Sequence, residues 1–346
     1  MQYVMKNHLL CLTMLLALLT SCEGMFQPGG DSDSDTDSDK PGASIKAPEG
    51  AVKGLFTINS SGSQVFFSKG NLQYKASTDT WRFAENQWDY VGGTREKDVT
   101  ISSGTVSGSD NCKISPTYSG WIDLFGWGTS GWSSGADCSN PYDSNRDADK
   151  YLPGNSMDNN LTGKYADADW GVYNAVSNGG KKAGLWRTLT SDEWEYVLNV
   201  RSGNRYAKAT VNNVAGLILL PDGWDGSVYE LKDMNKERAS WDANIITEST
   251  WDRTLEPAGT AFLPAAGVRT AYYSQVGDGW VISIRYSREE DKPACYYWTT
   301  TSDPGKYPTL RHALFMVASW QSVNGTSTYD YNRAEGMSVR LVQDKQ

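Results

Sequence analysis

The segment from Trp186 to Gly203 limits the fold most, because it carries the signals of one sharply bounded helix. Thr190 stands where an N-cap side chain accepts a backbone N–H, and Glu193, three residues later, can bond back to the amide of Thr190. Apolar side chains follow at helical spacing from Trp194, and Gly203 stands where a left-handed residue ends a helix. The pattern predicts one amphipathic helix of about four turns.

Short strands are predicted on both sides of this helix, because alternating or apolar runs there are bounded by turn residues. The runs are Gly54–Ile58, Gln64–Ser68, Asn71–Lys75, Trp81–Ala84, Val214–Pro221, Ala261–Gly267, Tyr296–Thr299, Ala313–Trp320 and Met337–Val342, with the third and fourth joined as a hairpin. A second short helix is predicted within Asp169–Gly180. Residues 104–163 are rich in Gly, Ser, Asn and Asp, which predicts long loops held by Trp121, Phe125 and Trp127. The expected fold class is α+β: a mixed sheet, two helices and long ordered loops.

The N-terminus has the pattern of a bacterial lipoprotein signal. Lys6 precedes an apolar run from Leu9 to Leu19, which is too short to span a bilayer as a helix, and a lipobox ends at Cys22. We therefore predict that residues 1–22 are a signal peptide with a lipid on Cys22. The lipid would hold the protein in the outer membrane, at the cell surface or otherwise on the periplasmic face.

The next segment, residues 23–48, is predicted to be a disordered acidic tether. Asp alternates with Ser and Thr from Asp31 to Asp39, and such a composition repels itself and cannot bury a core. Residues 49–346 show no second break in composition and are predicted to form a single domain. The net charge of −9 argues against nucleic acid as a partner, because phosphate binding needs a basic face.

Thiols and imidazoles are few, and this limits the chemistry. Cys112 and Cys138 flank an aromatic-rich segment; in one interpretation they form a disulfide and in the other they stay reduced, while Cys295 is single. The two histidines are His8, in the signal, and His312, which excludes a histidine pair and a zinc site built on several imidazoles. We interpret His312 as a surface or ligand-contacting residue rather than a lone base.

Acidic and amide side chains alternate from Asp143 to Asp149, as they do in calcium loops. Ala148 stands where an EF-hand needs Gly, and Gly154 stands where it needs Glu. The pattern therefore favours a solvated turn, and no metal or other cofactor is predicted.

The segment from Thr299 to Arg333 has the composition of a recognition surface, with rigid aromatics and arginines among small polar residues. Leu314, Met316 and Trp320 alternate as core positions of a strand, and Trp298, Val339 and Leu341 are predicted to be scaffold. The residues predicted to contact a ligand are Tyr307, Arg311, His312, Tyr329, Tyr331, Asn332 and Arg333.

Two motifs resemble a known family. The run from Arg187 to Tyr196 is similar to the Arg-Leu-Pro-Thr-Glu-Ala-Glu-Trp-Glu-Tyr segment of the formylglycine-generating-enzyme (sulfatase-modifying-factor) branch of the C-type lectin fold, with Leu189 in place of Pro. Residues 296–301 followed by 336–342 resemble the ending of lipoproteins of gut Bacteroidetes that carry this fold, including proteins whose C-terminal segment retroelements diversify. The resemblance covers residues 70–342 and implies a C-type lectin-like fold. It also implies structural calcium as an alternative to a metal-free domain.

The resemblance does not extend to the family's catalysis. Formylglycine-generating enzymes use a pair of cysteines near the C-terminus, whereas no cysteine follows Cys295 in this chain. We therefore expect a non-catalytic envelope lipoprotein that binds a protein or glycan ligand through the C-terminal part of its domain. The alternatives are a structural or adhesive subunit of a surface assembly and, third, an envelope enzyme of this branch.

Overall fold

The computed structural model describes residues 46–91, 99–100, 115–143, 145, 147–276, 279–287, 292–303, 312–327 and 332–346. The predicted signal peptide with Cys22 and nearly all of the predicted tether lie outside the described residues. The chain from Lys46 to Gln346 belongs to one compact unit.

Strands make up most of the regular structure. They are β1 Phe56–Thr57, β2 Gln64–Phe67, β3 Leu72–Lys75, β4 Thr80–Phe83, β5 Val99–Thr100, β6 Arg187–Thr188, β7 Tyr206–Val211, β8 Val214–Leu219, β9 Ile245–Ile246, β10 Ala261–Pro264, β11 Val268–Val276, β12 Gly279–Ser287, β13 Cys295–Asp303, β14 His312–Ala318, β15 Val323–Ser327 and β16 Leu341–Asp344. The α-helices are α1 Trp170–Tyr173, α2 Ser191–Glu195 and α3 Glu248–Thr250, and π-helical turns over Tyr196–Val200 and Trp251–Leu255 continue the last two. Short 3-10 turns cover Ala76–Thr78, Ala148–Tyr151, Pro153–Asn155, Gly163–Ala168 and Trp241–Ala243. Abundant strands and few helices confirm the α+β class.

The strands that the structure describes divide into five sheets rather than one. The first has the order β1-β2-β16-β6, so that β16, near the C-terminus, lies between an early strand and a central one. The second, β10-β8-β7-β9, is mixed because β7 and β9 run parallel. The others are β11-β12-β5, β13-β14-β15 and β3-β4. The pairing of β3 with β4 confirms the predicted hairpin.

Helix α2 begins as the sequence predicts and ends earlier. The hydroxyl of Thr190 accepts the Glu193 amide at 3.2 Å, and the Glu193 carboxylate accepts the Thr190 amide at 2.8 Å, which confirms the capping box. The helix ends at Val200, so the prediction of about four turns is wrong. The reason is the buried Arg201, whose Nε donates to the Val197 carbonyl at 2.8 Å and thereby satisfies the C-terminus one turn early.

Helix α3, which the sequence analysis missed, repeats the design of α2. Thr247 caps it as Thr190 caps α2, accepting the Thr250 amide at 3.2 Å. In both helices a buried Trp stands four residues after the cap, Trp194 in α2 and Trp251 in α3, and a π-helical turn begins within two residues of it. The missed signal was therefore the repeat of Thr-x-x-x-Trp.

We expect Thr190→Ala to lower the free energy of unfolding by about 0.5–2 kcal/mol, because the Glu193 amide loses its acceptor. Thr247→Ala is the matched variant, and its effect should be smaller because α3 has no Glu at the position that completes the capping box. Chemical denaturation of both variants measures the difference. If the free energy of unfolding of Thr190→Ala equals that of the wild type, the cap does not contribute to stability.

Aromatic rings fill much of the interior. Trp194 lies between Phe67 and Tyr297, with ring centroids 5.5 and 6.4 Å away, in a cluster that also holds the buried faces of β8 and β10. A second cluster contains Trp298 and Phe315, which meet at right angles. No helix in the described part of the chain is long and apolar enough to cross a membrane.

Candidate functional site

The sheet β13-β14-β15 has one end at which several connections of the chain meet. Asp303, the last residue of β13, pairs with His312, the first residue of β14, and Ser327, the last residue of β15, pairs with Phe315 nearby. The connections 304–311 and 328–331 therefore both begin and end near this edge of the sheet. They carry Tyr307, Arg311, Tyr329 and Tyr331, which lie outside the described residues.

Arg333 ties this end of the sheet to a distant loop. Its Nε donates to the His312 carbonyl at 3.0 Å, and its Nη2 donates to the Met157 carbonyl at 2.6 Å. The guanidinium lies 4.3 Å from the centre of the Trp127 ring, and the whole side chain is 0% exposed. Arg333 is therefore an internal strut that fixes the loop before Leu161 against β14.

The tail of β13 makes the second attachment of the same loop. The amide and hydroxyl of Ser302 both donate to the Asn160 side-chain oxygen at 2.8 Å, and the hydroxyl also donates to the Asp158 carbonyl at 3.3 Å. The Leu161 amide donates to the Thr300 carbonyl at 2.9 Å. The loop is thus held by β13 on one side and by Arg333 on the other.

An open depression of about 480 Å³ lies in this loop, and we call it the loop pocket. Its volume falls within the range of roughly 300–1,000 Å³ that small-molecule sites occupy. The loop pocket is lined by Asp149, Leu152, Asn155, Ser156, Met157 and Asp158. The lining combines carboxylates, an amide and a hydroxyl with two apolar side chains, and such a surface can bind a polar group and pack against its carbon skeleton.

Local bonds hold the floor of the loop pocket. The Asn159 side chain donates to the Pro153 carbonyl at 2.7 Å, and the Ser156 hydroxyl accepts the Asp158 amide at 3.3 Å. Gly154 has φ +63° and lies directly under the Tyr165 hydroxyl, where a Cβ would come within 2.1 Å of that oxygen. Only glycine fits this position without displacing Tyr165. The Pro-Gly-Asn turn thus gives the loop a fixed shape.

No protein-family model matches the chain, no curated protein matches it, and no solved structure matches it.

Two of the residues predicted to contact a ligand, Arg333 and His312, are buried, so they lack the exposure that the prediction assumed. The Arg333 guanidinium donates to the two carbonyls described above and stacks on the Trp127 ring. His312 is 3% exposed, because it pairs with Asp303 inside the sheet and lies beside Arg333. Asn332 is half-buried, and its side-chain oxygen accepts the Ala334 amide at 2.9 Å. Asn332 therefore forms the turn that directs Arg333 inward.

The scaffold predicted around this segment is mostly present. Trp298, Val339 and Leu341 are fully buried, which confirms their assignment to the core. Met316 is also buried, but Trp320 is 50% exposed in the turn between β14 and β15, so its assignment to the core is wrong. The strand ends at Ala318, and the turn that follows places the ring outside the sheet.

The aromatics predicted to hold the long loops differ in burial. Phe125 and Trp127 are buried, as predicted. Trp121 is only half-buried and lies beneath two cations, with Lys75 Nζ at 4.6 Å and the Arg82 guanidinium at 3.9 Å from its ring centre. Its indole forms part of a cationic patch on the β3–β4 hairpin.

Of the two interpretations for Cys112 and Cys138, the structure agrees with the reduced one, because Cys138 is not in a disulfide. Cys138 carries a free thiol that packs with Tyr151 and Ala334, and burial raises its pKa to about 11. Cys112 lies outside the described residues. Cys295 is also a free thiol; its Sγ donates to the Leu263 carbonyl at 3.3 Å, and burial raises its pKa to about 12.

The alternating segment before the loop pocket forms local turns. The Asn145 and Asp147 side chains each accept the amide two residues later, at 2.9 and 3.0 Å, and the Asp147 bond caps the turn Ala148–Tyr151. Within the described residues no group of three or more His, Cys, Asp or Glu is placed to hold a metal ion.

Sequence reasoning missed most of the loop pocket. Asp149 appeared only as the end of the suspected calcium pattern, and the residues from Leu152 to Asp158 were assigned to the long loops without a role. Two signals were available: the Pro153-Gly154-Asn155 turn, which predicts a fixed loop, and the polar residues that follow it.

Proposed function

We propose that this protein is a non-catalytic lipoprotein of the cell envelope that binds a protein or glycan ligand with a C-type lectin-like domain. The binding face is the loop pocket together with the connections at the adjacent end of the β13-β14-β15 sheet. The observation that carries the proposal is the convergence there: Arg333 and Ser302 attach the pocket loop to the sheet beside the roots of the two connections that carry the predicted contact residues.

The fold assignment within the proposal rests on the resemblance of the helix and C-terminal motifs. The capping box of α2 and the buried Trp298, Val339 and Leu341 show that both motifs are structural elements of the same compact unit. An α+β domain with many strands and few helices is compatible with a C-type lectin-like fold.

The absence of catalysis within the proposal is supported by the state of the reactive side chains. A cysteine nucleophile acts as its thiolate, and burial keeps the thiols of Cys138 and Cys295 protonated at neutral pH. His312 is 3% exposed, its backbone carbonyl accepts a bond from Arg333, and it is not among the described residues that line the loop pocket. These groups are placed for packing rather than for reaction with a substrate.

The lipid anchor has its own test. Replacement of Cys22 by Ser removes the acyl acceptor, and we expect this variant to leave the membrane fraction and appear in the soluble fraction after cell breakage. The matched control is Cys295→Ser, which should stay with the membrane. A Cys22→Ser protein that still needs detergent for release would place the anchor elsewhere.

The ligand-binding face is tested with the residues of the two connections. We expect the combined variant Tyr307→Ala, Arg311→Ala, Tyr329→Ala and Tyr331→Ala to melt within a few degrees of the wild type. Its affinity for a ligand found by screening surface glycans and proteins should fall at least about tenfold, because a few aromatic and arginine side chains carry most of an interface's energy. Unfolding of this variant would show that the side chains are core, and unchanged binding would move the site to another face.

A further inference from the structure

We propose that a neutral glycan binds along a row of three partly exposed aromatic side chains, Trp132, Tyr165 and Tyr173, and reaches from there into the loop pocket. We call this row the aromatic strip. The inference rests on the proposed function and names the class of its ligand, a chain of uncharged sugars rather than a protein. Residues 130–135 and 163–173, which carry the strip, both lie outside the segment that the sequence analysis assigned to ligand contact.

The three rings of the aromatic strip are neighbours in space. The ring centroids of Trp132 and Tyr165 are 6.5 Å apart, and their planes are inclined at 58°. Gly131, next to Trp132, faces Tyr173, because a Cβ on this glycine would come within 3.9 Å of the Tyr173 Cε1. Trp132 and Tyr165 are half-buried and Tyr173 is 42% exposed. Each of the three side chains therefore offers aromatic surface to solvent.

The aromatic strip borders the loop pocket. The Tyr165 hydroxyl lies over Gly154, which stands between the lining residues Leu152 and Asn155. The Asn155 side chain also lies beside Gly135, where a Cβ would come within 3.4 Å of the Asn155 Nδ2. Both segments that carry the strip thus touch the pocket loop, and a ligand of several units can cover the strip and the pocket together.

This combination of side chains suits the two kinds of surface on a sugar. The C–H face of a sugar ring packs against the electron-rich face of an aromatic ring, while its hydroxyl groups both donate and accept hydrogen bonds. The aromatic strip supplies the ring faces. The loop pocket supplies the amide of Asn155, the hydroxyl of Ser156 and the carboxylate of Asp158. Lys164 adds a donor beside the strip, since its Nζ lies 5.6 Å from the centre of the Tyr165 ring.

The same surroundings favour a neutral glycan over the two other classes of ligand. An acidic sugar in the loop pocket would bring its negative charge to the Asp158 carboxylate. A protein segment gains most of its affinity by burying large apolar or aromatic anchors, whereas the lining offers such an anchor two apolar side chains, Leu152 and Met157, among short polar ones. Uncharged hydroxyl groups satisfy this lining without either conflict.

Hydrogen bonds hold the aromatic strip in place before any ligand arrives. The Ser130 hydroxyl accepts the Trp132 amide at 3.2 Å and donates to the Asp167 carbonyl at 2.6 Å, which ties the segment of Trp132 to that of Tyr165. The Asn174 side chain donates to the Ser130 carbonyl at 2.8 Å. Little ordering of the backbone is therefore needed on binding, which keeps the entropic cost of binding low.

The test titrates the full chain with hexasaccharides of glucose, galactose and mannose and, as acidic counterparts, with hexasaccharides of galacturonic and glucuronic acid. We expect calorimetry to detect binding of at least one neutral hexasaccharide and weaker binding of the acidic ones. Trp132→Ala and Tyr165→Ala should each weaken binding of the neutral hexasaccharide at least about tenfold. Trp320→Ala, the loss of a partly exposed indole from another turn, is the matched control and should stay within about twofold. Tyr173→Ala removes an exposed ring and serves in place of any strip variant whose melting curve shows that it does not fold; its binding should fall at least about threefold.

The outcomes separate this inference from the proposed function. If none of the neutral hexasaccharides binds while a protein found by screening does, the glycan is overturned and the proposed ligand binding stands. Tighter binding of the acidic hexasaccharides overturns the neutral class. A neutral hexasaccharide that binds the folded strip variants and the wild type equally well overturns the aromatic strip as its site. If neither a glycan nor a protein binds the chain, this inference and the proposed function both fail.

Discussion

Arg333→Ala is expected to lower the free energy of unfolding by about 3–5 kcal/mol, because two bonds from a charged donor and a buried side-chain volume are lost together. The carbonyls of His312 and Met157 lose their donor, and the face of Trp127 loses the guanidinium stacked on it. Urea denaturation of wild type and variant measures the change.

Arg333→Lys is the matched variant. It keeps the positive charge but not the planar fork that reaches two carbonyls on different elements. Its free energy of unfolding should therefore fall by less than that of Arg333→Ala and still by more than about 1 kcal/mol. A change within about 0.5 kcal/mol for Arg333→Ala would agree with an exposed contact residue and contradict the buried strut. Faster proteolysis near Met157 in the folded variant would show that Arg333 holds the pocket loop.

Trp194→Ala should lower the free energy of unfolding by a similar amount, about 3–5 kcal/mol, because the whole indole lies in the core. The ring is 0% exposed and contacts the aromatic cluster formed with Phe67 and Tyr297. Trp320→Ala is the control, since half of that ring is exposed, and its cost should stay well below that of Trp194→Ala. If thermal and denaturant melts showed a larger loss of stability for Thr190→Ala than for Trp194→Ala, they would contradict the packing of α2.

Local patterns predicted much of the fold because they report bonds between residues close in sequence. The capping box joins two residues that are three positions apart, and the β3–β4 hairpin joins neighbouring strands. The burial of Arg333 has no such local signal. Its partner Met157 is 176 positions away, and an arginine among tyrosines and small polar residues has the same composition in an exposed loop and in a buried strut. The early end of α2 escaped prediction for a related reason, since it depends on the burial of Arg201 against Leu220.

The sequence analysis placed the contact residues mainly on the connections 304–311 and 328–331, whose described ends lie at the same end of the β13-β14-β15 sheet as the loop pocket. The pocket itself is built from a loop more than 140 positions earlier, and the contact between Ser302 and Asn160 that brings it there appears only in the folded chain. Periodicity and composition carry no information about such a contact.

The most direct test of the ligand site compares the two ends of one sheet. The double variant Asn155→Ala with Asp158→Ala changes the loop pocket, whereas Trp320→Ala changes the exposed turn at the opposite end of the β13-β14-β15 sheet. Each variant is titrated with a ligand recovered by screening surface glycans and proteins. The proposed site predicts at least about tenfold weaker binding for the double variant and unchanged binding for Trp320→Ala. Full affinity in the double variant together with loss in Trp320→Ala would contradict it.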